Sequence, residues 1–268
     1  MALCIPCTNY QIPSSHIVYN SNMPASQNAS QVLYDTFAPY YQEYAQSRTA
    51  YLEGINHVIL NTIAQFQRPP LHVLDIGSGD GARIQKLKER GRFGALTVIE
   101  NSKNMADLCR SYTNMKTLEG DITNIELPPH SFDYITCLWN VLGHIDSKRS
   151  RHIALNKMAL WLKPNGLVFV DVNNRYNYAQ YGKNAFLNMI KDIVHLDDSS
   201  GDISFQMHMK SGVDIDARVH LFSPLEMDQS IRLSGLRVIH KYYVSYSSGK
   251  CVPSFLQGQL MYILDNHD

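Results

Sequence analysis

Three glycines alternate with other residues directly after a short apolar run, in the stretch VLDIGSGDG. The apolar run, residues 71–76, is typical of a buried strand, and the glycines are Gly77, Gly79 and Gly81. In open α/β sheets, ligands bind beyond the carboxyl ends of the strands, where glycine lets the backbone approach and a helix N-terminus offers free N–H groups. We therefore expect a ligand at this turn, and the alternative is a glycine turn without one.

The spacing of the glycines narrows the kind of ligand. It differs from the Gly-x-Gly-x-x-Gly of dinucleotide folds, and no Gly-Lys-Ser/Thr follows that would bind a nucleoside triphosphate. Glu100 ends the next predicted strand about twenty residues further on, where an acid can accept hydrogen bonds from ribose hydroxyls. Glu100 can also be an ordinary solvated side chain. The pattern favours a nucleoside without a pyrophosphate.

Further polar residues follow the third and fourth predicted strands. Asp121 comes after the third strand, where its carboxylate can meet an adenine amino group. Asp133 begins the fourth strand and is expected to be a turn residue. Asn140 and His144 follow that strand, at the edge where the glycine turn also lies. For His144 the alternatives are a catalytic base and a capping or packing histidine.

Strands and helices are predicted to alternate along residues 71–172. The predicted strands cover residues 71–76, 96–100, 115–118, 134–138 and 167–172, and the predicted helices cover 82–90, 103–112 and 148–162. Such alternation with short connections is typical of a parallel sheet covered by helices on both faces. The sequence therefore predicts an α/β fold of the Rossmann-like kind.

The N-terminal part differs in pattern from this core. Residues 1–30 are rich in Ser, Asn and Pro, and we expect a flexible arm. Residues 31–67 carry apolar residues at helical spacing and are expected to form a helix in two pieces. Residues 31–268 are predicted to be a single domain.

The C-terminal part begins with a predicted insertion over residues 174–222. It combines a helix over 184–195 with two strands joined at Ser211-Gly212, a pair suited to a tight hairpin turn. The chain closes with a helix over 224–234 and two strands that we expect to pair antiparallel at the edge of the sheet.

Composition excludes several classes of partner. Lys and Arg number 24, and Asp and Glu also number 24, so no net charge attracts nucleic acid or an anionic membrane. The five cysteines are an odd set without a secretory segment before them, which predicts reduced thiols and a cytoplasmic protein. Cys4 and Cys7 lack a second ligand pair, so no metal site is predicted. No apolar run approaches the roughly 20 residues needed to cross a bilayer.

The stretches VLDIGSGDG, VIENS, LEGDI, SFDYITCLW and LKPNGLVFVD, in this order, resemble class I S-adenosylmethionine-dependent methyltransferases. The resemblance covers residues 31 to about 175 and implies a seven-stranded sheet of order 3-2-1-4-5-7-6. It implies S-adenosylmethionine as cofactor and S-adenosylhomocysteine as product. The cofactor residues that it implies are Asp75, Gly77, Ser78, Gly79, Gly81, Glu100, Asn101, Asp121, Ile122 and Leu138. A sulfonium methyl is already electrophilic, so catalysis would need mainly positioning and desolvation of the nucleophile.

Three further stretches, SRTAYLEGI, CLWNVLGHI and LVFVDVNNRYNYAQYG, are similar to glycine and sarcosine N-methyltransferases. The resemblance implies that Arg48 pairs with the carboxylate of the cofactor; alternatively, Arg48 is a solvated charge at a helix start. It also implies that Asn140 faces an amine substrate and that His144 belongs to the same site. The family's substrate-binding arginine falls on Asn173, with Arg175 two residues later, so glycine is not expected to be the substrate. Asn173 and Arg175 are nevertheless predicted to bind the acceptor.

Two groups of residues have competing interpretations. The tyrosines Tyr34, Tyr40, Tyr41 and Tyr44 can cover a small site or simply pack at helical spacing, and Tyr34, Tyr41 and Tyr44 are predicted to bind substrate. The basic residues Arg83, Lys86, Lys88 and Arg90 are interpreted as a solvated helix face.

The predicted function is methyl transfer to a small-molecule acceptor, an amine nitrogen in the first instance. The arm and residues 174–222 are expected to form the lid and the acceptor pocket. One alternative is a tRNA wobble-uridine methyltransferase, which the stretch YDTFAPYY resembles and the neutral charge disfavours. Another is a catalytically silent cofactor-binding protein. The oligomeric state is left open.

Overall fold

An eight-stranded sheet organises the protein, whose computed structural model describes residues 29–65, 72–194, 197, 200–208 and 214–266. The strands found in these ranges are β1 (His72–Ile76), β2 (Ala95–Glu100), β3 (Lys116–Glu119), β4 (Phe132–Cys137), β5 (Leu162–Val172), β6 (Asp202–His208), β7 (Asp214–His220), β8 (Leu236–Val244), β9 (Cys251–Val252) and β10 (Gln259–Asn266). The order in the main sheet is β3-β2-β1-β4-β5-β10-β8-β9. The order predicted for seven strands is therefore confirmed, and the two-residue strand β9 adds an eighth at the edge.

Helices cover both faces of this sheet. In the described ranges they are α1 (Ala29–Phe37), α2 (Tyr41–Gln46), α3 (Thr49–Gln65), α4 (Ala82–Gly91), α5 (Lys103–Arg110), α6 (Lys148–Trp161), α7 (Tyr178–Tyr181), α8 (Lys183–Val194) and α9 (Pro224–Leu233). Within the described part of the chain, none of the helices is both long and apolar enough to cross a membrane.

Strands β1, β2, β4 and β5 pair in parallel and are buried on both faces. In β1, Val73 and Leu74 point to opposite faces and are fully buried, each in a different hydrophobic cluster. The cluster containing Leu74 includes Trp161 of α6, and the cluster containing Val73 includes Ile59 of α3. This two-layer core fixes the carboxyl ends of β1, β2, β4 and β5 along one edge, where the predicted site residues lie.

The helical N-terminal part is divided into more pieces than predicted. A 3-10 turn at Ala38–Tyr40 separates α1 from α2, and a second break at Ser47 and Arg48 separates α2 from α3. Pro39 has no backbone N–H to continue the helix, which explains the first break. Of the predicted arm at residues 1–30, residues 1–28, with Cys4 and Cys7, lie outside the described residues, and α1 already begins at Ala29.

The described part of residues 174–222, the segment predicted to be an insertion, contains α7, α8, β6 and β7. Strands β6 and β7 pair antiparallel, with Asp202 opposite His220, while the turn at Ser211-Gly212 lies outside the described residues. After α9, strand β10 pairs antiparallel with both β5 and β8. The prediction of two antiparallel strands at the C-terminus is confirmed.

Candidate active site

The glycine turn between β1 and α4 has a backbone that only glycine adopts easily. Gly77, Gly79 and Gly81 have φ values of 69°, 59° and 77°, in the left-handed region. The Gly77 N–H donates to the carbonyl oxygen of Ile99 at 2.8 Å, which ties the turn to β2. A Cβ on Gly79 would lie 2.5 Å from the hydroxyl oxygen of Tyr41. The turn therefore forms a cradle of bare backbone that a side chain would fill.

Glu100 connects the end of β2 to this cradle. Its Oε2 accepts from the Gly79 N–H at 2.8 Å, and its Oε1 accepts from the Ser102 N–H at 3.0 Å. Burial raises the pKa of Glu100 to about 7, although the two backbone donors oppose the rise. Each carboxylate oxygen keeps room for a further donor, so this side chain can accept hydroxyl groups of a ligand.

Asp75 braces the cradle from β1. Its Oδ2 accepts from the Ser78 hydroxyl at 2.6 Å, and its Oδ1 accepts from the Thr136 hydroxyl of β4 at 2.5 Å. Burial raises the pKa of Asp75, and these two hydrogen bonds oppose the rise. The carboxylate holds the glycine turn against the neighbouring strand.

A first cavity opens beside the cradle. The predicted cofactor residues that line it are Asp75, Gly77, Ser78, Gly79, Glu100, Asn101, Asp121, Ile122 and Leu138. At its far end, the Asp121 Oδ1 accepts from the N–H and the hydroxyl of Thr123, both at 2.7 Å. Gly81 is not among the lining residues, because it packs towards Cys109 and Met115 as the residue that precedes α4. The sequence thus predicted most of one wall of this cavity.

A second cavity adjoins the first. Both are lined by Tyr34, Tyr41, Trp139 and His144. Residues of the predicted insertion also line the second cavity: Gln180, Tyr181, Asn184, Ile203, Val219 and Leu221. The insertion therefore contributes a wall beside the first cavity, where an acceptor molecule can lie.

Aromatic rings from the N-terminal helices cover the junction of the two cavities. Tyr44 stacks on Trp139 with ring centroids 5.4 Å apart, and Tyr41 lies 5.8 Å from the same indole. The Arg48 guanidinium lies 5.5 Å from the Tyr44 ring and 5.2 Å from the Tyr246 ring. Three of the tyrosines, Tyr34, Tyr41 and Tyr44, therefore both pack against other rings and line a cavity. Tyr40 lines neither cavity.

His144 lies where the cavities meet. Its Nε2 is 3.2 Å from the Tyr34 hydroxyl, and its Nδ1 is buried without a hydrogen-bond partner among the described residues. Burial lowers the pKa of His144 to about 4. The imidazole is therefore neutral near pH 7, the form that can accept a proton.

The loop after β4 is strained and held by Asp171. Trp139 and Asn140 both have φ of 60°, a left-handed conformation that costs on the order of 1–3 kcal/mol for a residue with a side chain. The Trp139 N–H donates to the Asp171 Oδ1 at 2.6 Å, and the Asn140 N–H donates to the Asp171 carbonyl oxygen at 3.1 Å. Tyr51 donates to the other carboxylate oxygen at 2.7 Å. These contacts fix the wall shared by the two cavities.

The side chain of Asn140 has a different arrangement from the one expected. Its Oδ1 accepts from the Asn173 N–H at 2.9 Å, and its Nδ2 donates to the His220 carbonyl oxygen at 3.4 Å. Asn140 and Asn173 both line the second cavity. However, the amide oxygen that was expected to face an amine instead ties β5 to the loop after β4.

Arg175 lies outside both cavities, which corrects the prediction that it binds the acceptor. Only 1% of the residue is exposed, because its guanidinium is paired with Asp192 of α8 and Glu226 of α9. A buried guanidinium needs such counter-charges. Arg48, expected to meet the cofactor, lines the second cavity and not the first.

Among the cavity-lining residues that were not predicted from the sequence are Trp139, Arg83 and Tyr246. Trp139 lines both cavities, and its signal was its place beside Asn140 after the fourth strand. Arg83, interpreted as part of a solvated face, lines the first cavity; its signal was its position two residues after the glycine turn. Tyr246 lines the second cavity from beyond β8. No local pattern marks Tyr246, because tertiary packing alone brings it to the site.

Comparison with known proteins connects this fold and site to one class. Residues 73–166 match the family described as "Methyltransferase domain". A solved S-adenosylmethionine-dependent methyltransferase from Clostridium acetobutylicum superimposes with a TM-score of 0.63 at 15% identity, covering 88% of this chain and all of that one. The amino pentose methyltransferase CalS10 from Micromonospora echinaspora superimposes with a TM-score of 0.58 at 14% identity, over 93% of this chain and 100% of its own. The fold is that of S-adenosylmethionine-dependent methyltransferases.

Curated relatives match part of the chain. A ubiquinone biosynthesis O-methyltransferase of Neisseria meningitidis is 28% identical over 109 residues, which cover 38% of this chain and 44% of that protein. A carboxy-S-adenosyl-L-methionine synthase of Pseudomonas savastanoi is 30% identical over 130 residues, 44% of this chain and 51% of that protein. The chain thus spans about half the length of the curated relatives it matches. The similarity to glycine and sarcosine N-methyltransferases stays a prediction.

Proposed function

We propose that this protein transfers a methyl group from S-adenosylmethionine to a small-molecule acceptor. The observation that carries the proposal is the pair of adjoining cavities, which share Tyr34, Tyr41, Trp139 and His144. The first contains a glycine cradle and a carboxylate suited to a nucleoside, and the second is lined by aromatic and amide side chains. Two ligands can therefore meet at one junction.

The first cavity fits the cofactor by the chemistry of its groups. A Cβ at Gly79 would collide with Tyr41, so the bare backbone lets the Tyr41 ring close over the glycine turn and form a wall of the cavity. In the proposed complex Glu100 accepts the ribose hydroxyls, and Asp121 with Ile122 flanks the adenine. When bound, the cofactor supplies an electrophilic methyl group on its sulfonium.

The residues around the second cavity position the acceptor and exclude water. An acceptor that enters past Tyr44 and Trp139 is shielded by rings, which favours an in-line approach and desolvates the nucleophile. An amine must arrive uncharged to offer its lone pair. For an amine acceptor the rate therefore rises with pH towards the pKa of the amine itself.

A hydroxyl oxygen is the second candidate acceptor, and His144 is the observation that favours it. A hydroxyl group must lose its proton during methyl transfer, and the neutral imidazole at the junction of the cavities can take it. The curated relatives named as O-methyltransferases point in the same direction. An amine loses its proton after transfer and needs no such base before it.

Incubation with S-adenosylmethionine and separate sets of amines, phenols and bulk tRNA tests the proposal. We expect S-adenosylhomocysteine to accumulate in proportion to a methylated small molecule. Methylation of tRNA, with a strong salt dependence, would instead support the nucleic-acid alternative. Cofactor binding without turnover on any set would support a silent cofactor-binding protein.

The variant Glu100→Gln is the matched control for that assay. It removes the carboxylate that is proposed to accept the ribose hydroxyls and leaves every lining residue of the second cavity unchanged. We expect lower turnover at limiting cofactor with each active acceptor. Turnover that is unaffected by this change at all cofactor concentrations would contradict the placement of the cofactor.

A further inference from the structure

The charged side chains that line the first cavity are mostly acidic. The carboxylates are those of Asp75, Glu100, Asp121 and Asp146. Among the described residues that line this cavity, Arg83 is the one lysine or arginine. The amino-acid end of the proposed cofactor carries an ammonium group, which the acidic residues attract, and a carboxylate, which they repel. Its binding in this cavity therefore requires a cation, or backbone donors, close by.

Arg83 is fixed by one hydrogen bond, and another nitrogen of its guanidinium remains available to a ligand. It is the second residue of α4, and its Nε donates to the Asn56 Oδ1 at 3.0 Å. Its Nη2 is buried and has no hydrogen-bond partner among the described residues. A buried donor without a partner is costly, and such groups are uncommon in folded proteins unless a ligand or water satisfies them.

Asn56 fixes this arrangement from α3. Only 3% of Asn56 is exposed, and its Nδ2 donates to the Glu53 Oε1 at 3.3 Å, so the amide oxygen is turned towards Arg83. The charge of Arg83 also reaches the carboxyl ends of two strands. It opposes the rise that burial causes in the pKa of Asp75 at β1 and of Asp171 at β5.

We infer that Arg83 binds the carboxylate of the cofactor's methionine moiety, and that Asn56 is the residue that positions it. The inference rests on the proposed function. It assigns to Arg83 the role that sequence similarity gave to Arg48. Arg48 lies in the second cavity between the rings of Tyr44 and Tyr246, where it can contact the acceptor instead.

The two arginines form a matched pair for the test. Binding of S-adenosylhomocysteine and of decarboxylated S-adenosylhomocysteine is measured by calorimetry for the wild type, Arg83→Gln and Arg48→Gln. We expect Arg83→Gln to weaken S-adenosylhomocysteine by roughly ten- to a hundredfold, the usual range for a charge-assisted hydrogen bond. The decarboxylated ligand should bind Arg83→Gln and the wild type alike, which also shows that the variant is folded. Arg48→Gln should keep the affinity of the wild type for both ligands.

Different outcomes separate the possible failures. A loss specific to the carboxylate in Arg48→Gln, and absent from Arg83→Gln, would overturn the inference. Equal losses of both ligands in Arg83→Gln would assign it a structural role only, which also overturns it. A wild-type protein that binds neither ligand would contradict the proposed function itself.

Variants at Asn56 test the positioning role. Asn56→Asp keeps an oxygen for the Arg83 Nε and should retain discrimination between the two ligands. Asn56→Leu removes that acceptor and should reduce the discrimination while Arg83 is still present. Equal discrimination in both variants would show that Asn56 does not position the guanidinium.

Discussion

Glu100 is the residue whose charge responds most directly to a ligand in the first cavity. Burial raises its pKa from the ordinary value of 4.5 to about 7. Between these two values the folded protein binds a proton that the unfolded chain has released. Glu100 therefore lowers the free energy of unfolding as pH rises through this window, because an acid with a raised pKa is stabilising only in its protonated form.

Hydroxyl groups of a bound ligand are expected to lower the pKa of Glu100, because they donate hydrogen bonds to its charged form. We expect the affinity for S-adenosylhomocysteine to increase as pH rises from about 6 to about 8, by at most about tenfold per pH unit for one proton. Calorimetry across this range measures it, and Glu100→Gln should bind more weakly with a flatter profile. A wild-type affinity that is constant across the range would show that Glu100 does not meet a hydroxyl donor.

Asn140 gives a second prediction at this scale. Its amide joins the Asn173 N–H to the His220 carbonyl oxygen, so Asn140→Ala removes a hydrogen-bond partner from both backbone groups beside a side chain that is itself buried. Each unsatisfied group costs about 1–3 kcal/mol. We expect the thermal stability and the cofactor affinity to fall together in this variant.

The predicted role of Asn140 in aligning the acceptor makes a different forecast. It requires a loss of methyl transfer that is much larger than the loss of S-adenosylhomocysteine affinity. Kinetics and calorimetry on the same preparation of Asn140→Ala separate the two. A selective loss of turnover, with an unchanged melting temperature, would contradict the structural role that the hydrogen bonds indicate.

Individual residues could be predicted where their distance along the sequence determines their position in the site. The glycine turn and Glu100 follow one strand each, so their spacing along the chain carries the geometry. Arg175 was misassigned because its partners, Asp192 and Glu226, come from helices distant in sequence. Arg83 was missed because a helix face looks solvated until the packing of α3 and the cavity is known.

At the scale of elements, a buried charge cluster attaches the β6–β7 hairpin to the core. The ring of His220 on β7 lies between two carboxylates: Nδ1 is 2.7 Å from the Asp202 Oδ1, and Nε2 is 2.7 Å from the Glu226 Oε1. The ring therefore bridges Asp202 of β6 and Glu226 of α9. Since β7 also supplies Val219 to the second cavity, the cluster holds a wall of that cavity in place.

We expect His220→Gln to destabilise this attachment. A glutamine amide cannot donate to two carboxylates on opposite sides, and breaking a buried ion pair costs about 3–5 kcal/mol. Chemical denaturation measures the loss, and hydrogen exchange should show faster exchange in β6 and β7 than in β1. The control is Arg218→Gln, since the Arg218 side chain is 37% exposed and its pair with Asp202 contributes little. Equal stability of the two variants would contradict the account.

The same cluster predicts a loss of stability in acid. Burial alone would raise the pKa values of Asp202 and Glu226, but the hydrogen bonds and charge of His220 outweigh it and both are lowered. Acids with a lowered pKa contribute stability that is present above their ordinary range and is lost as pH falls through the lowered values. Protection of the hairpin from exchange should therefore hold at neutral pH and disappear in acid before that of the inner strands. Protection that is independent of pH would argue against an ionic attachment.

Strands and helices with a regular hydrophobic pattern were predicted better than the breaks between helices. The alternation of strands and helices predicted the parallel sheet, because burial on both faces leaves a clear signal in β1, β4 and β5. The strand order was implied by the resemblance to class I methyltransferases, and the antiparallel C-terminal pair was predicted from the last two strands. The division of residues 29–65 into three helices was not foreseen. The break at Pro39 is visible in the sequence, whereas the break at Ser47 and Arg48 depends on how Tyr44 and Arg48 pack against Trp139 and Tyr246.

At the scale of the whole molecule, the sheet brings distant residues to one edge. The carboxyl ends of β1, β2 and β4 supply the first cavity, and the N-terminal helices and the insertion supply the second. The match to a methyltransferase domain covers residues 73–166, which contain the first of these parts. The residues that line the second cavity lie mostly outside that match, so sequence comparison informs the first cavity more than the second.

Calorimetric titration of the wild-type protein tests the central claim most directly, namely that the first cavity binds S-adenosylmethionine. The account predicts one S-adenosylhomocysteine per chain, no binding of NADH, and a higher melting temperature in saturating ligand. At a hundredfold excess over the dissociation constant, the added stability is about 2.7 kcal/mol. Binding of NADH, with no binding of S-adenosylhomocysteine, would contradict the account.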